Sequence, residues 1–198
     1  MKLIHISDIH IHTEPILGND PVANFKACMD HISRTNGDAD LVIISGDLTH
    51  HGKASAYAAL KKLLQNWTFS PLLMMGNHDN RENFLTAFPE TETDRDGYIQ
   101  YVRATPAGRF LVLDTAEAGT HAGHFDIKRQ SWLLEQLAKA LNDGERVYLV
   151  MHHNPTEVGI ANADNIGLRD GVAFRQILTE FRDNIEHIFF GHCHYVLS

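Results

Sequence analysis

Short apolar runs alternate with helix-forming segments along this chain, and the alternation constrains the fold more than any other feature. The run DLVIIS at 40–45 is continuously apolar and β-branched in its middle, which is typical of a parallel strand covered on both faces. The segment IKRQSWLLEQLAKAL at 127–141 has the apolar spacing of an amphipathic helix. Strands that alternate with helices predict an α/β domain with a largely parallel sheet.

The other elements follow from the same two periodicities. Asp20 and Pro21 predict the N-cap and first position of a helix that ends near Asn36. The link at 105–108 joins two apolar runs and predicts an antiparallel hairpin, and hence an antiparallel portion or a second sheet. Segment 154–169 is irregular, and a loop of that length in a compact domain is often functional. The predicted strands are 2–7, 40–45, 71–75, 97–104, 108–114, 146–151 and 187–190, and the predicted helices are 21–36, 54–67, 80–88, 127–141 and 170–181.

Composition narrows the class of protein. A chain of 198 residues with 43% hydrophobic and 21% charged residues suits one globular domain. No apolar stretch approaches the roughly 18 residues that a membrane span needs. The net charge is -8 and the basic residues do not cluster, which argues against a nucleic acid polymer as partner. Two cysteines and the lack of an apolar signal region at the N-terminus predict a cytoplasmic protein.

Polar clusters follow five of the predicted strands at the point where each strand ends. Ligands of open α/β sheets bind beyond the carboxyl ends of the strands, so the clusters are expected to converge at one edge of the sheet. Side chains two apart in extended backbone share a face, so Asp8 should project with His10, and His192 with His194. The five clusters are Asp8-Ile9-His10, Gly46-Asp47, Gly76-Asn77-His78-Asp79, His152-His153-Asn154-Pro155 and Gly191-His192-Cys193-His194.

Each cluster taken singly has an ordinary reading as a polar loop. A lone Asp-Xaa-His or Gly-Asp after a strand is more often a loop than a site. Their recurrence after successive strands favours a metal site, as does the count of 14 histidines, because histidine is the commonest metal ligand. Cys193 is the one thiol within a cluster, and the alternation predicts that it is a buried spacer rather than a ligand.

This series of motifs resembles that of the calcineurin-like metallophosphoesterases, and within them the class III cyclic-nucleotide phosphodiesterases and their glycerophosphodiesterase relatives. The resemblance runs from Lys2 to His194 and includes MHHNP at 151–155, TAEAGTHAG at 115–123 and NADNIGLRD at 162–170. It implies a two-sheet sandwich flanked by helices (αββα), with the metal site at the C-terminal ends of the strands. Only four residues follow His194, so we expect a single domain over 1–198 that lacks the usual C-terminal strands or cap. The second sheet would then contain only 97–104, 108–114 and whatever 195–198 adds.

The resemblance also implies the ligands of two metal ions. One ion would take Asp8, His10 and His194, the other Asn77, His152 and His192, and Asp47 would bridge both. A donor set of nitrogen and oxygen favours two divalent or mixed-valence ions of the Mn, Fe or Zn type. His78 has no metal in the family scheme and is expected to contact the phosphate and help protonate the leaving alkoxide. Asp79 is expected either to orient the His78 ring or hold it charged, as a second catalytic residue, or to cap the helix that starts near Asn80.

Other histidines have less specific interpretations. His153 is either a hydrogen-bond partner of a ligand or a substrate contact. His5 and His31 are expected to be structural. The loop histidines are His12, His50, His51, His121 and His124, of which one or two are expected to line the pocket.

The predicted function is hydrolysis of small phosphodiesters, of the cyclic nucleotide or glycerophosphodiester type, by metal-bound hydroxide. Two divalent cations, two carboxylates and a hydroxide leave a charge of roughly +1, which suits a singly charged diester. One alternative is a broad-specificity phosphomonoesterase with the same site. The other is a non-catalytic metal-binding scaffold, although such a protein would be expected to lose ligands. The resemblance implies a C-terminal tail that often helps to form a dimer; only four residues follow His194, so a homo-oligomer is possible but is not expected without that tail.

Overall fold

The computed structural model describes residues 1–194, and the contribution considered for 195–198 lies outside the described residues. Seven strands and six helices follow one another in this part of the chain. The strands are β1 Leu3–Ile6, β2 Leu41–Ser45, β3 Leu72–Met74, β4 Tyr101–Thr105, β5 Gly108–Val112, β6 Val147–Val150 and β7 Ile185–Phe189. The helices are α1 Pro21–Thr35, α2 Ala54–Gln65, α3 Arg81–Ala87, α4 Ile127–Asn142, α5 Ala161–Asn165 and α6 Gly171–Glu180.

The strands form two sheets. One sheet has the order β1-β2-β3 and is entirely parallel. The other has the order β4-β5-β6-β7, in which β4 and β5 form the predicted antiparallel hairpin and the remaining pairs are parallel. The expectation that the second sheet contains little beyond the hairpin is wrong, because β6 and β7 join it. The predicted polar clusters therefore come from the ends of strands in both sheets, rather than from one edge of a single sheet.

Two hydrophobic cores cover the faces of these sheets. Phe110 and Val112 of β5 pack in the same core as Ile43 of β2 and helices α1, α2 and α3. Leu111 of β5 and Leu149 of β6 pack in the other core, together with α4 and α6. Alternate residues of β5 thus face opposite layers, as expected for a strand buried on both sides. This arrangement confirms the predicted αββα sandwich.

Local chemistry explains where some predicted elements differ from the observed ones. The carboxylate of Asp20 accepts the N–H groups of Val22 and Ala23 at 3.0 and 3.1 Å, so the predicted start of α1 is confirmed. Residues 97–100 do not extend β4, because the N–H of Tyr98 donates to Asp94 and that of the next residue to the Asp114 carboxylate. The segment 154–169 contains the short helix α5, which its polar sequence did not predict.

No helix in the described part of the chain is long and apolar enough to cross a membrane.

Candidate metal centre

The predicted ligands lie on backbone turns at the ends of the strands. Six non-glycine residues of the described chain have positive φ, and five of them are predicted ligands with φ between 43° and 67°: Asp8, His10, Asp47, His192 and His194. Left-handed backbone costs such a residue roughly 1–2 kcal/mol and is concentrated at functional sites. The predicted reason for their convergence, the alternation of an extended strand, is therefore wrong. The side chains converge because the backbone turns sharply at each of these positions.

A first group of ligand atoms surrounds one side of Asp47. Atoms of Asp8, His10, Asp47 and His194 all lie within 4.8 Å of one another. Nε2 of His10 lies 3.3 Å from Nε2 of His194 and 3.6 Å from Oδ2 of Asp47. Nε2 of His194 lies 3.4 Å from Oδ1 of Asp8. Ligands about 2.1 Å from a tetrahedral cation are about 3.4 Å apart, so this spacing fits a divalent ion.

A second group lies on the opposite side of Asp47. Nε2 of His152 lies 3.2 Å from Oδ1 of Asn77 and 3.4 Å from Oδ1 of Asp47. The ring of His192 lies 5.1 Å from that of His152. Asn77, His152 and His192 are therefore brought together, as the predicted ligand set requires. Amide oxygen and imidazole nitrogen are suitable donors for a borderline divalent ion.

Asp47 connects the two groups through its separate oxygens. Oδ2 faces His10 and Oδ1 faces His152. Oδ1 also accepts the N–H of His78 at 2.9 Å, which fixes the rotation of the carboxylate. Gly76 is required beside it, because a Cβ at position 76 would overlap Asp47. The geometry matches that of a carboxylate with one oxygen for each of two cations.

Two main-chain carbonyls, neither of which the sequence predicts, orient imidazoles of the second group. Nδ1 of His152 donates to the carbonyl of Ser45 at 2.8 Å, which leaves the lone pair of the neutral ring on Nε2. Nε2 of His192 donates to the carbonyl of Ile166 at 3.1 Å, which leaves Nδ1 for a ligand. A carbonyl carries no sequence signature, so no pattern could have identified these partners.

Two of the four ligand imidazoles are held neutral, whereas the hydrogen bond to Asp8 raises the pKa of His194 and Asp47 raises that of His152. Burial lowers the pKa of His10 to about 4, and burial together with the neighbouring His152 lowers that of His192 to about 4. Both rings are thus neutral at physiological pH, which is the form that binds a metal. Burial alone would lower the pKa of His152, but the Asp47 carboxylate raises it to about 9. Burial would raise the pKa of Asp47, and His152 reverses this and holds it well below its usual range.

The contacts of Asp79 differ from those that its predicted roles require. Its carboxylate accepts the N–H groups of Leu48 and Gly76 through Oδ2, at 2.9 and 3.0 Å. Through Oδ1 it accepts the N–H and hydroxyl of Thr49 and the hydroxyl of Tyr57, at 2.8–3.0 Å. Burial raises its pKa to about 6. The carboxylate therefore ties the turn after β2 to the turn after β3.

These contacts include neither an orienting hydrogen bond to His78 nor a cap of α3. The ring of His78 is oriented by the carbonyl of His50, which lies 2.8 Å from its Nδ1. The cap of α3 is Asn80, whose side chain accepts the N–H of Asn83 at 2.9 Å. Asp79 is a positioning residue for the Asp47 turn, because all five donors to its carboxylate come from the two turns and from Tyr57.

His78 lies where it can face a substrate beside the ligands. Its ring centroid is 4.9 Å from that of His10, and it stacks on His50 at 5.4 Å with an interplanar angle of 11°. The ring of His121 is 5.1 Å away. Nitrogens of His10, His50 and His78 lie within 4.8 Å of one another. His50 and His121 are thus two loop histidines that adjoin the site, in line with the prediction that one or two would do so.

His153 is buried next to the ligands, with its ring 4.6 Å from that of His192. Nδ1 of His153 lies 2.7 Å from the hydroxyl of Thr115, and its Nε2 lies 3.2 Å from the carbonyl of His121. Both nitrogens are engaged by protein groups, which favours a hydrogen-bonding role, and one ligand atom each of His152, His153 and His192 lies within 4.8 Å of the others. Cys193 is buried and belongs to none of the ligand groups found in the described chain, as expected of a spacer.

A cavity of about 500 Å³ lies along the 154–169 segment. Asn154, Asp164, Asn165 and Arg169 line it, and Arg175 of α6 closes one side. The carbonyl of Ile166 that orients His192 belongs to the same segment. The segment thus lines a cavity whose walls contain none of the predicted metal ligands.

Comparison with known proteins identifies the family of this chain. The calcineurin-like phosphoesterase profile matches residues 1–196. The chain belongs to the calcineurin-like phosphoesterase family. Membership supports a binuclear centre of divalent metal ions, and the two groups of ligands around Asp47 fit such a centre.

Relatives within this calcineurin-like family are named as phosphodiesterases. A probable cyclic nucleotide phosphodiesterase of Rhodopseudomonas palustris is 33% identical over 100% of this chain and 73% of its own length. A probable glycerophosphodiester phosphodiesterase of Arcobacter nitrofigilis is 30% identical over 99% of this chain and 72% of its length. A dimetal phosphatase from Danio rerio shares the fold at 15% identity, with a TM-score of 0.74 over 97% of this chain and 81% of its own. The predicted family and fold are confirmed.

Proposed function

We propose that this chain hydrolyses small phosphodiesters, of the cyclic nucleotide or glycerophosphodiester type, with two divalent metal ions. The observation that carries the proposal is the placement of Asp47, whose two oxygens face two separate groups of ligand atoms. The related phosphodiesterases supply the substrate class.

The proposed ligands divide between two ions of the Mn, Fe or Zn type. One ion takes Asp8, His10 and His194, the other takes Asn77, His152 and His192, and Asp47 bridges them. Six of the seven ligand side chains offer carboxylate or imidazole donors and the seventh offers an amide oxygen, which is the donor set of these borderline ions. When bound, such a pair supplies Lewis acidity and activates water for attack on phosphorus.

The positive charge that attracts the substrate is confined to the metal centre, while the chain as a whole is negatively charged. Two divalent cations and the carboxylates of Asp8 and Asp47 leave a positive charge of roughly +2, which attracts a phosphate ester. The chain as a whole has a net charge of -8, which disfavours polyanions. A small diester satisfies both conditions.

His78 is the residue proposed to protonate the leaving alkoxide. Its Nδ1 donates to the carbonyl of His50, which fixes the ring, so the proton for the alkoxide would be carried on Nε2 of the imidazolium form and its loss would leave the neutral ring. Proton delivery of this kind contributes roughly 10²–10⁴-fold when the leaving group is a poor one. Asp79 takes no part in the proton transfer and maintains the turn on which Asp47 lies.

Substrate turnover tests the proposal directly. Metal-free protein would be supplied with Mn²⁺, Fe²⁺ or Zn²⁺ and offered bis-p-nitrophenyl phosphate, p-nitrophenyl phosphate, 3′,5′-cyclic AMP and glycerophosphoethanolamine. We expect metal-dependent turnover with a preference for the diesters. Preference for the monoester would indicate a phosphomonoesterase with the same site. Two bound metal equivalents without turnover of any ester would indicate a binding scaffold.

A further inference from the structure

His121, a loop histidine outside the predicted ligand set, contacts one of the predicted ligands. Its Nδ1 lies 2.8 Å from Nδ2 of Asn77. The other end of the same amide, Oδ1, lies 3.2 Å from Nε2 of His152. An amide nitrogen donates hydrogen bonds and offers no lone pair to a cation, so only the oxygen end of Asn77 can act as a ligand. The partner of the nitrogen end therefore decides which end faces the metal centre.

Buried groups hold His121 in place. Its carbonyl accepts a hydrogen bond from Nε2 of His153 at 3.2 Å, and Nδ1 of that buried ring accepts from the hydroxyl of Thr115. Two residues further on, Gly123 pairs through its N–H and its carbonyl with 167–169. The His121 ring is thus positioned by anchored main chain on both sides, although the ring itself is exposed.

We propose that His121 is a positioning residue, which accepts the Asn77 N–H at Nδ1 and keeps the amide oxygen turned toward the second metal ion. His121 is then the tautomer that carries its proton on Nε2. The inference rests on the proposed binuclear centre and gives His121 no contact with either ion. Residues that orient a metal ligand contribute about 10–100-fold to metal affinity, which sets the expected size of the effect.

The test measures metal binding rather than turnover. Metal-free protein would be titrated with Mn²⁺ by calorimetry, and the spin-coupled signal of a dimanganese centre would be followed by electron paramagnetic resonance. The variants are His121→Ala, His121→Gln, which retains an acceptor oxygen, and Asn77→Ala as the reference for a lost ligand. The matched control is His124→Ala, which breaks a contact of 2.6 Å between His124 and Asp170 in the same loop.

We expect His121→Ala to weaken one of the two Mn²⁺ equivalents by about 10–100-fold and to reduce the coupled signal. His121→Gln should restore most of that affinity, and His124→Ala should leave both equivalents unchanged. Unchanged binding by His121→Ala, or an equal loss in His124→Ala, would overturn the inference and leave the proposed function intact. Wild-type protein that binds fewer than two equivalents would overturn the proposed function itself.

Discussion

Replacing Asp79 by asparagine is expected to destabilise the fold, because the change removes acceptors where buried donors converge. Oδ1 of Asp79 serves three donors from Thr49 and Tyr57, and Oδ2 serves the N–H groups of Leu48 and Gly76. Asparagine has only one side-chain oxygen. In its best orientation this oxygen replaces Oδ1, and its NH₂ group then faces the N–H groups of Leu48 and Gly76, which lose their acceptor. Each unpaired buried donor costs about 1–3 kcal/mol, and two of them cost about 2–6 kcal/mol.

The assay is urea unfolding of the metal-free variant at pH 8, where the wild-type carboxylate is ionised because its pKa is about 6. The neighbouring Asn80→Ala is the control, since loss of the α3 cap should cost only about 1 kcal/mol. If Asp79→Asn lowers the free energy of unfolding by no more than Asn80→Ala does, the assignment of Asp79 as the positioning residue of the Asp47 turn is refuted.

Three further predictions concern the ligands, the proton donor and a helix cap. Asp47→Ala should lower the affinity for both metal equivalents, and the turnover, by more than about 100-fold; a variant that still binds two equivalents by calorimetry contradicts the bridging role. His78→Gln should still bind both metal ions. In steady-state assays its turnover of an alkyl diester should fall by about 10²–10⁴-fold, but its turnover of bis-p-nitrophenyl phosphate, which has a better leaving group, by less than about 10-fold. Equal losses of turnover with the two substrates would exclude proton delivery by His78. Burial opposes a low pKa at Asp126, but the N–H of Arg129 and the Tyr98 hydroxyl lower it to about 2. The stabilisation by this cap should therefore be present above about pH 4 and disappear as the pH falls to about 2, so the wild-type advantage over Asp126→Asn in thermal melts should shrink in that window and no other.

Much of the fold could be predicted because the apolar periodicity is strong in both sheets and in the amphipathic helices. The boundaries of α1 and α4 follow from helix chemistry that is local in the sequence, such as Asp20 followed by Pro21. The assignment of β6 and β7 to the second sheet could not be predicted from periodicity, because a buried parallel strand has the same pattern in either sheet. The start of β4 also differs from the prediction, since the Asp114 carboxylate, distant in the sequence, accepts the N–H of Ile99.

The composition of the candidate site was predictable, but its geometry was not. Motif spacing identified Asp8, Asp47 and the histidines, and the structure brings them together. The left-handed backbone at these residues could not be read from the sequence, because most aspartates and histidines have right-handed or extended backbone and the fold decides which do not. The contacts of Asp79 and of His121 also could not be predicted, because they join residues that are distant in the sequence. Each forms only where two turns meet in the fold.

Anomalous scattering from crystals grown with Mn²⁺ or Zn²⁺ is the most direct test of the metal centre. Data collected on both sides of the metal absorption edge would locate each ion independently of the protein phases. We predict two peaks, one on either side of the Asp47 carboxylate, each about 2.0–2.3 Å from its ligand atoms. A single peak, or no peak beside Asp47 at saturating metal, would contradict the binuclear site.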